Sequence, residues 1–180
     1  MHHPTSTEYA PYYGKYVGLV PEGDILAALE AQLAEVLALL RPVTDAQAAV
    51  PHPPYTWTVK EVIGHLIDTE RVFGYRALRF ARGDRTPLPG FEENDYAREG
   101  QFNRLRLAEL LSEFEAVRRS HVSLFRNLPE AAWTRGGEAN GNPVTVRALA
   151  YILVGHVRHH AAILRQRLSA NTSGVVTAKN

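Results

Sequence analysis

A chain of 180 residues, 45% of them apolar, is long enough to bury a core of its own, and 20 basic against 19 acidic residues leave a formal charge of +1. That balance argues against a nucleic-acid partner, and with no cysteine, any metal must be held by histidine and carboxylate. No apolar run reaches the roughly 20 residues that span a bilayer, and the N-terminus lacks the order of a signal peptide, so the expectation is a soluble, cytoplasmic protein with no membrane partner.

Residues 1–20 combine four tyrosines (Tyr9, Tyr12, Tyr13, Tyr16) with Pro4, Pro11, Gly14 and Gly18, which reads as an irregular arm laid over the surface, with His2 and His3 as spectators. From Pro21 the spacing of Ile25, Leu29, Leu33, Val36, Leu37 and Leu40 predicts a first long helix, stopped by Pro42. A proline-rich connection follows, with His52 exposed. Thr58 with Glu61 three residues on forms a capping box, Trp57 and Val62 supply a hydrophobic staple, and the second helix runs to about Arg82 with Gly83 as its stop.

Residues 84–103 read as a long loop, either a lid or a crossover. A third helix covers about 104–128, and Pro129 to Pro143 is a loop by composition, so that no strand is expected. The fourth helix, capped by Thr145, ends near Leu168, and a Ser/Thr/Gly-rich tail from Ser169 to Asn180 reads as disordered. The expected organisation is an all-α four-helix bundle over residues 21–168 between the arm and a flexible tail over 169–180. Its long connections call for at least one crossover.

The histidines carry the chemistry. His65 lies on the apolar stripe of the second helix with Val62, Leu66, Thr69 and Phe73. His156 and His160, one turn apart and about 40° apart around the axis, share the inward stripe of the fourth helix with Leu149, Ile152, Leu153 and Ile163. Three inward imidazoles on two helices match the way bundles build metal sites from facing side chains, and three neutral ligands leave an open position on a divalent ion. His159, about 60° from His156, is the alternative to His160, and His121 reads as core or pocket wall. The segment is not a protease zinc motif, because Val157 stands where that motif has its glutamate base. A base would have to come from Asp68, or from Glu92, Glu93 or Asp95 on the long loop.

The run Trp57-Thr58-Val59-Lys60-Glu61-Val62-Ile63-Gly64-His65-Leu66-Ile67-Asp68-Thr69-Glu70-Arg71, with Gly155-His156-Val157-Arg158-His159-His160 further on, resembles the DinB/YfiT-like superfamily over about residues 20–168. The resemblance implies an up-down-down-up bundle, often a homodimer, with a three-histidine site for nickel, zinc or a similar divalent ion. Its ligands would be His65, His156 and His160. Some relatives transfer small thiols such as bacillithiol or mycothiol to electrophiles, and others resemble thiol-dependent maleylpyruvate isomerases. Val157 departs from related H-E-x-H-H segments and leaves the acid-base group open.

The first expectation is therefore a metal-dependent thiol transferase or hydrolase that activates a small thiol or water against a small electrophile, in stress response or detoxification. The second is a non-catalytic metal- or ligand-binding dimeric bundle. A third is a metal-free bundle whose histidines bond to one another or to carboxylates.

Overall fold

The computed structural model describes residues 2–174. An arm holding a 3-10 turn (Pro11–Tyr13) and α1 (Gly14–Val17) leads into α2 (Ile25–Leu40), α3 (Asp45–Ala48), α4 (Val59–Ala81) and α5 (Glu93–Gly100). After a second 3-10 turn (Phe102–Arg104) come α6 (Leu107–Arg126), a hairpin of β1 (Gly136–Ala139) and β2 (Asn142–Thr145), and α7 (Val146–Gly174).

The helix starts follow from local chemistry. Asp24 caps α2 through Oδ1, which accepts from the amides of Leu26 (2.9 Å) and Ala27 (3.2 Å). Thr58 and Glu61 close the capping box of α4: the Thr58 amide donates to the Glu61 carboxylate at 2.7 Å and the Glu61 amide to Thr58 Oγ1 at 3.1 Å. Gly83 follows that helix with φ +83°, a left-handed conformation that glycine adopts without a Cβ penalty.

α2, α4, α6 and α7 form the bundle. Both α2 and α4 pack on α6 and on α7, so the first two long helices face each other across the diagonal. Side-chain pairs fix the directions. Glu70 meets Arg118 and Lys60 meets the Leu105 carbonyl, so α4 and α6 run parallel. His65 meets His156 while Arg167 reaches the Trp57 carbonyl, so α4 and α7 run antiparallel. Gln32 bonds the Val154 carbonyl and Glu35 pairs with Arg165, so α2 and α7 are parallel. The order is up-down-down-up, and the parallel α4–α6 pair requires the long crossover between them.

The apolar core falls into two clusters. One holds Ile25, Leu29, Phe73, Phe80, Phe125 and Leu149, the other Leu33, Leu66, Leu110, Phe114, Val157 and Leu164. Between them every bundle helix contributes buried polar groups: Gln32 from α2, His65 and Glu70 from α4, Arg118 and His121 from α6, and His156 from α7. Arg118, fully buried, donates to both Glu70 oxygens (2.6 and 3.1 Å), to Gln32 Oε1 (2.9 Å) and to the Leu29 carbonyl (3.3 Å). His121 Nδ1 lies 2.9 Å from Glu70 Oε2, and Gln32 Nε2 donates to the Val154 carbonyl at 2.8 Å. Burial alone pushes the Glu70 carboxyl up, but the Arg118 guanidinium and His121 hold it below the usual carboxylate range.

Four expectations change. The 84–103 loop contains α5, capped by Glu92, and the Phe102 ring, which packs where a Cβ on Gly64 would come within 2.2 Å of it. The 129–143 segment contains a strand, β1, because Asn140 (φ +52°) and Gly141 (φ +72°) supply the two positive φ angles of a tight hairpin turn. α7 continues past Leu168 to Gly174, while residues 175–180 of the expected tail lie outside the described residues. The arm enters the core instead of lying over it: Tyr16, Val17 and Val20 are buried, and His3 Nε2 lies 3.1 Å from the Val20 carbonyl.

Candidate metal centre

The three histidines of the two motifs converge. His156 Nε2 is 3.0 Å from His65 Nε2 and 3.1 Å from His160 Nε2, and one ligand atom from each ring lies within 4.8 Å of the others. Ligands about 2.0–2.1 Å from one ion sit roughly 3.0–3.4 Å apart, so both short separations suit a shared cation. His159 is held elsewhere, edge-on to Tyr16 with ring centroids 5.5 Å apart. His121 is engaged with Glu70.

The donor chemistry also fits an ion. An imidazole Nε2 offers either one proton or one in-plane lone pair, so His156 can meet two nitrogens only by sharing that single proton or pair between them. Three lone pairs directed at a cation remove the conflict. Burial is the first cause that lowers the histidines' pKa values, to about 4 for His65 and about 3 for His160. His156 is also held well below the ordinary value, by burial and then by His160 and His65. The rings are therefore neutral at pH 7 and do not have to release protons to act as ligands.

Each motif places a glycine before its first histidine, and the structure explains both. A Cβ at Gly64 would strike Phe102, and one at Gly155 would lie 2.0 Å from the Tyr16 carbonyl oxygen. Gly155 thus lets α1 lie against α7, which sets the Tyr16 ring edge-on to His156 at 5.1 Å. On the other side Trp57 leans on His65 at 5.0 Å.

A cavity of about 290 Å³ opens over His65 and His156, with Thr69, Phe73 and Arg76 continuing its wall along α4. The arm tyrosines, the hairpin turn at Asn140 and the Gly90–Phe91 loop complete it. His160 does not line it. Of the four carboxylates considered as bases, Glu93 is the one that reaches this wall. Asp68 lies 3.9 Å from Arg71, Glu92 caps α5, and Asp95 pairs with Arg98. Val157 is buried in the apolar core and offers no acid-base group.

The sequence profile of the DinB superfamily matches residues 28–164. The chain belongs to the DinB superfamily. No curated protein matches it by sequence. Among solved structures, YfiT from Bacillus subtilis, described as a probable metal-dependent hydrolase with an unusual four-helix bundle topology, is similar at TM-score 0.71 and 19% identity, over 83% of this chain and 93% of YfiT. A mycothiol-dependent maleylpyruvate isomerase matches at TM-score 0.68 and 19% identity, over 82% of this chain but 62% of the isomerase. The colibactin self-resistance protein ClbS, in complex with double-stranded DNA, matches at TM-score 0.57 and 15% identity, over 80% of this chain and 93% of ClbS. At these identities the likeness speaks for the DinB fold.

The ClbS complex corrects one expectation. Nucleic acid was excluded as a partner because basic and acidic residues balance, yet a chain of the same fold is seen with DNA. Net charge sums over the whole molecule and says nothing of how charge is distributed over one face, so it does not support the exclusion. The membrane expectation concerns the helices alone: among the described residues none is long and apolar enough to cross a bilayer.

Sequence reasoning found the three histidines and missed most of the cavity wall. Arg76 lies three residues after Phe73 and four before Phe80, on the apolar stripe of α4, and Arg118 is similarly placed between Phe114 and Val122 on α6. A charge on an apolar stripe was the available signal. The arm tyrosines gave no comparable signal, because their approach depends on tertiary contact.

Proposed function

We propose that this chain is a metal-dependent enzyme in which His65, His156 and His160 hold one divalent ion, nickel or zinc, and the cavity over His65 and His156 receives a small thiol or water and a small electrophile. The convergence of the Nε2 atoms of buried His65 and His156 with that of half-buried His160 is the observation that carries this reading. A bound divalent ion supplies Lewis acidity, which brings the pKa of water or a thiol toward neutral pH. The protein's own side chains do the rest. α4 and α7 hold the rings in place, Tyr16 packs against His156 and Trp57 against His65, and Glu93 is the carboxylate at the cavity wall. A cavity of this size takes small molecules.

The test is turnover by metal-saturated protein, measured as thiol consumption with model electrophiles and as hydrolysis of activated esters or amides. Activity that disappears in His156→Ala while the fold persists supports the reading, and activity unchanged in that variant contradicts it. The burial of Val157 favours a second reading, a bundle that binds metal or ligand without turnover, for which His65→Ala would lose metal with no activity to lose.

A further inference from the structure

The polar layer contains one buried cation that is fully neutralised and, beside it, one that is not. Arg118 has Glu70 as counter-ion and bonds two further oxygens. Arg76 is 4% exposed, yet among the described residues no carboxylate lies within ion-pairing distance of it. Its Nη2 donates to the Pro89 carbonyl at 2.8 Å, its guanidinium carbon lies 5.2 Å from the Phe73 ring centre, and Tyr13 is its other polar neighbour. A guanidinium has five N–H donors, so this set leaves donors free to meet a guest in the cavity that Arg76 lines.

A buried polar atom without a partner lies on the same line. Thr69 Oγ1 is buried with no hydrogen-bond partner, and Thr69, Phe73 and Arg76 follow one another at helical spacing from His65 along the cavity wall. Thr69 and Arg76 are seven residues apart on α4, or roughly 10 Å along the axis, and His65 lies a further turn away. The other charged groups nearby are Glu93, exposed at the wall, and Lys15, which sits 3.9 Å over the Tyr12 ring. Between these polar groups the wall is Phe73, Phe91, Tyr13 and Ile152. About 290 Å³ accommodates roughly ten non-hydrogen atoms.

We propose that Arg76, with the Thr69 hydroxyl, is a receptor for the carboxylate of a small acid with an aromatic frame whose other end points at the histidine centre. A carboxylate presents the two oxygens that a guanidinium fork matches, and the cavity body suits an apolar frame. The assignment names the substrate class of the site described above and rests on that functional reading.

The probe pair is benzoate and benzamide, titrated calorimetrically into metal-free full-length protein at pH 7, with divalent-metal uptake measured on the same preparations. The expected result is benzoate at least tenfold tighter than benzamide in the wild type, a loss of tenfold or more in Arg76→Gln, and about threefold in Thr69→Val. Equal affinity for the two probes in the wild type overturns the proposal, as does a folded Arg76→Gln protein that keeps the preference. If Arg76→Gln does not fold, the wild-type comparison and Thr69→Val decide in the same terms. Benzoate preference without metal uptake sinks the metalloenzyme reading and leaves the carboxylate site standing; metal uptake without preference does the reverse.

Discussion

Replacing Glu70 by glutamine tests the polar layer that joins the four helices. The carboxylate is 1% exposed and accepts from Arg118 at 2.6 and 3.1 Å, with His121 Nδ1 at 2.9 Å. Glutamine keeps the shape but offers one acceptor oxygen, turns an NH₂ toward the guanidinium, and leaves the Arg118 charge buried without a counter-ion. Removing one partner of such a pair costs about 3–5 kcal/mol, a large share of the roughly 5–15 kcal/mol that holds a domain folded. At about 2–4 °C per kcal/mol for a chain of this size, the melting temperature should fall by roughly 6–20 °C. Urea denaturation followed by circular dichroism, with an unchanged m value, measures the loss. The double variant Glu70→Gln/Arg118→Met removes both charges and should recover much of it. A single variant within about 1 kcal/mol of wild type, or a double variant no better than the single, refutes the reasoning.

Metal-free protein should lose stability in mild acid. The centre's histidines have depressed folded pKa values, so above about pH 6.5 they are neutral in both states and contribute nothing. As pH falls from there to about 4 for His65 and about 3 for His160, the unfolded chain takes up protons that the folded chain refuses, which for His65 amounts to roughly 3 kcal/mol by pH 4. His65→Leu should flatten the denaturation midpoint across that window; an identical pH dependence counts against the burial argument. Gly155→Ala sets a Cβ 2.0 Å from a backbone oxygen that cannot rotate away, so about 1–3 kcal/mol should be lost and the arm should become cleavable by protease; unchanged stability and protection contradict it. Thr58→Ala removes the cap of α4 and should cost about 1 kcal/mol in the same denaturation assay, and no loss would show that the capping box is dispensable.

The bundle was legible because its signals are local: the box at Thr58, the glycine after Arg82 and the inward positions of α2, α4, α6 and α7 all lie within a few residues of what they specify. The hairpin was legible in principle through Asn140-Gly141, but loop composition around it concealed two strands of four residues each. The three histidines stand out because a polar ring on an apolar stripe requires a partner. The cavity wall is not local. Tyr16 reaches His156 only because Gly155 admits α1, and Arg76 becomes a buried unpaired cation only once the loop carrying Pro89 and the arm carrying Tyr13 fold over it. Periodicity marks which residues turn inward; it does not say which of them will find partners there.

Equilibrium metal binding to untagged protein, combined with X-ray absorption at the metal edge, shows whether the three rings share one ion. One divalent ion per chain is predicted, with three imidazole nitrogens in its coordination sphere. His65→Ala, His156→Ala and His160→Ala should each weaken binding sharply, while His159→Ala should leave it intact. No bound ion, or an ion retained with its imidazole count unchanged in His156→Ala, would mean that the three rings do not form a shared site.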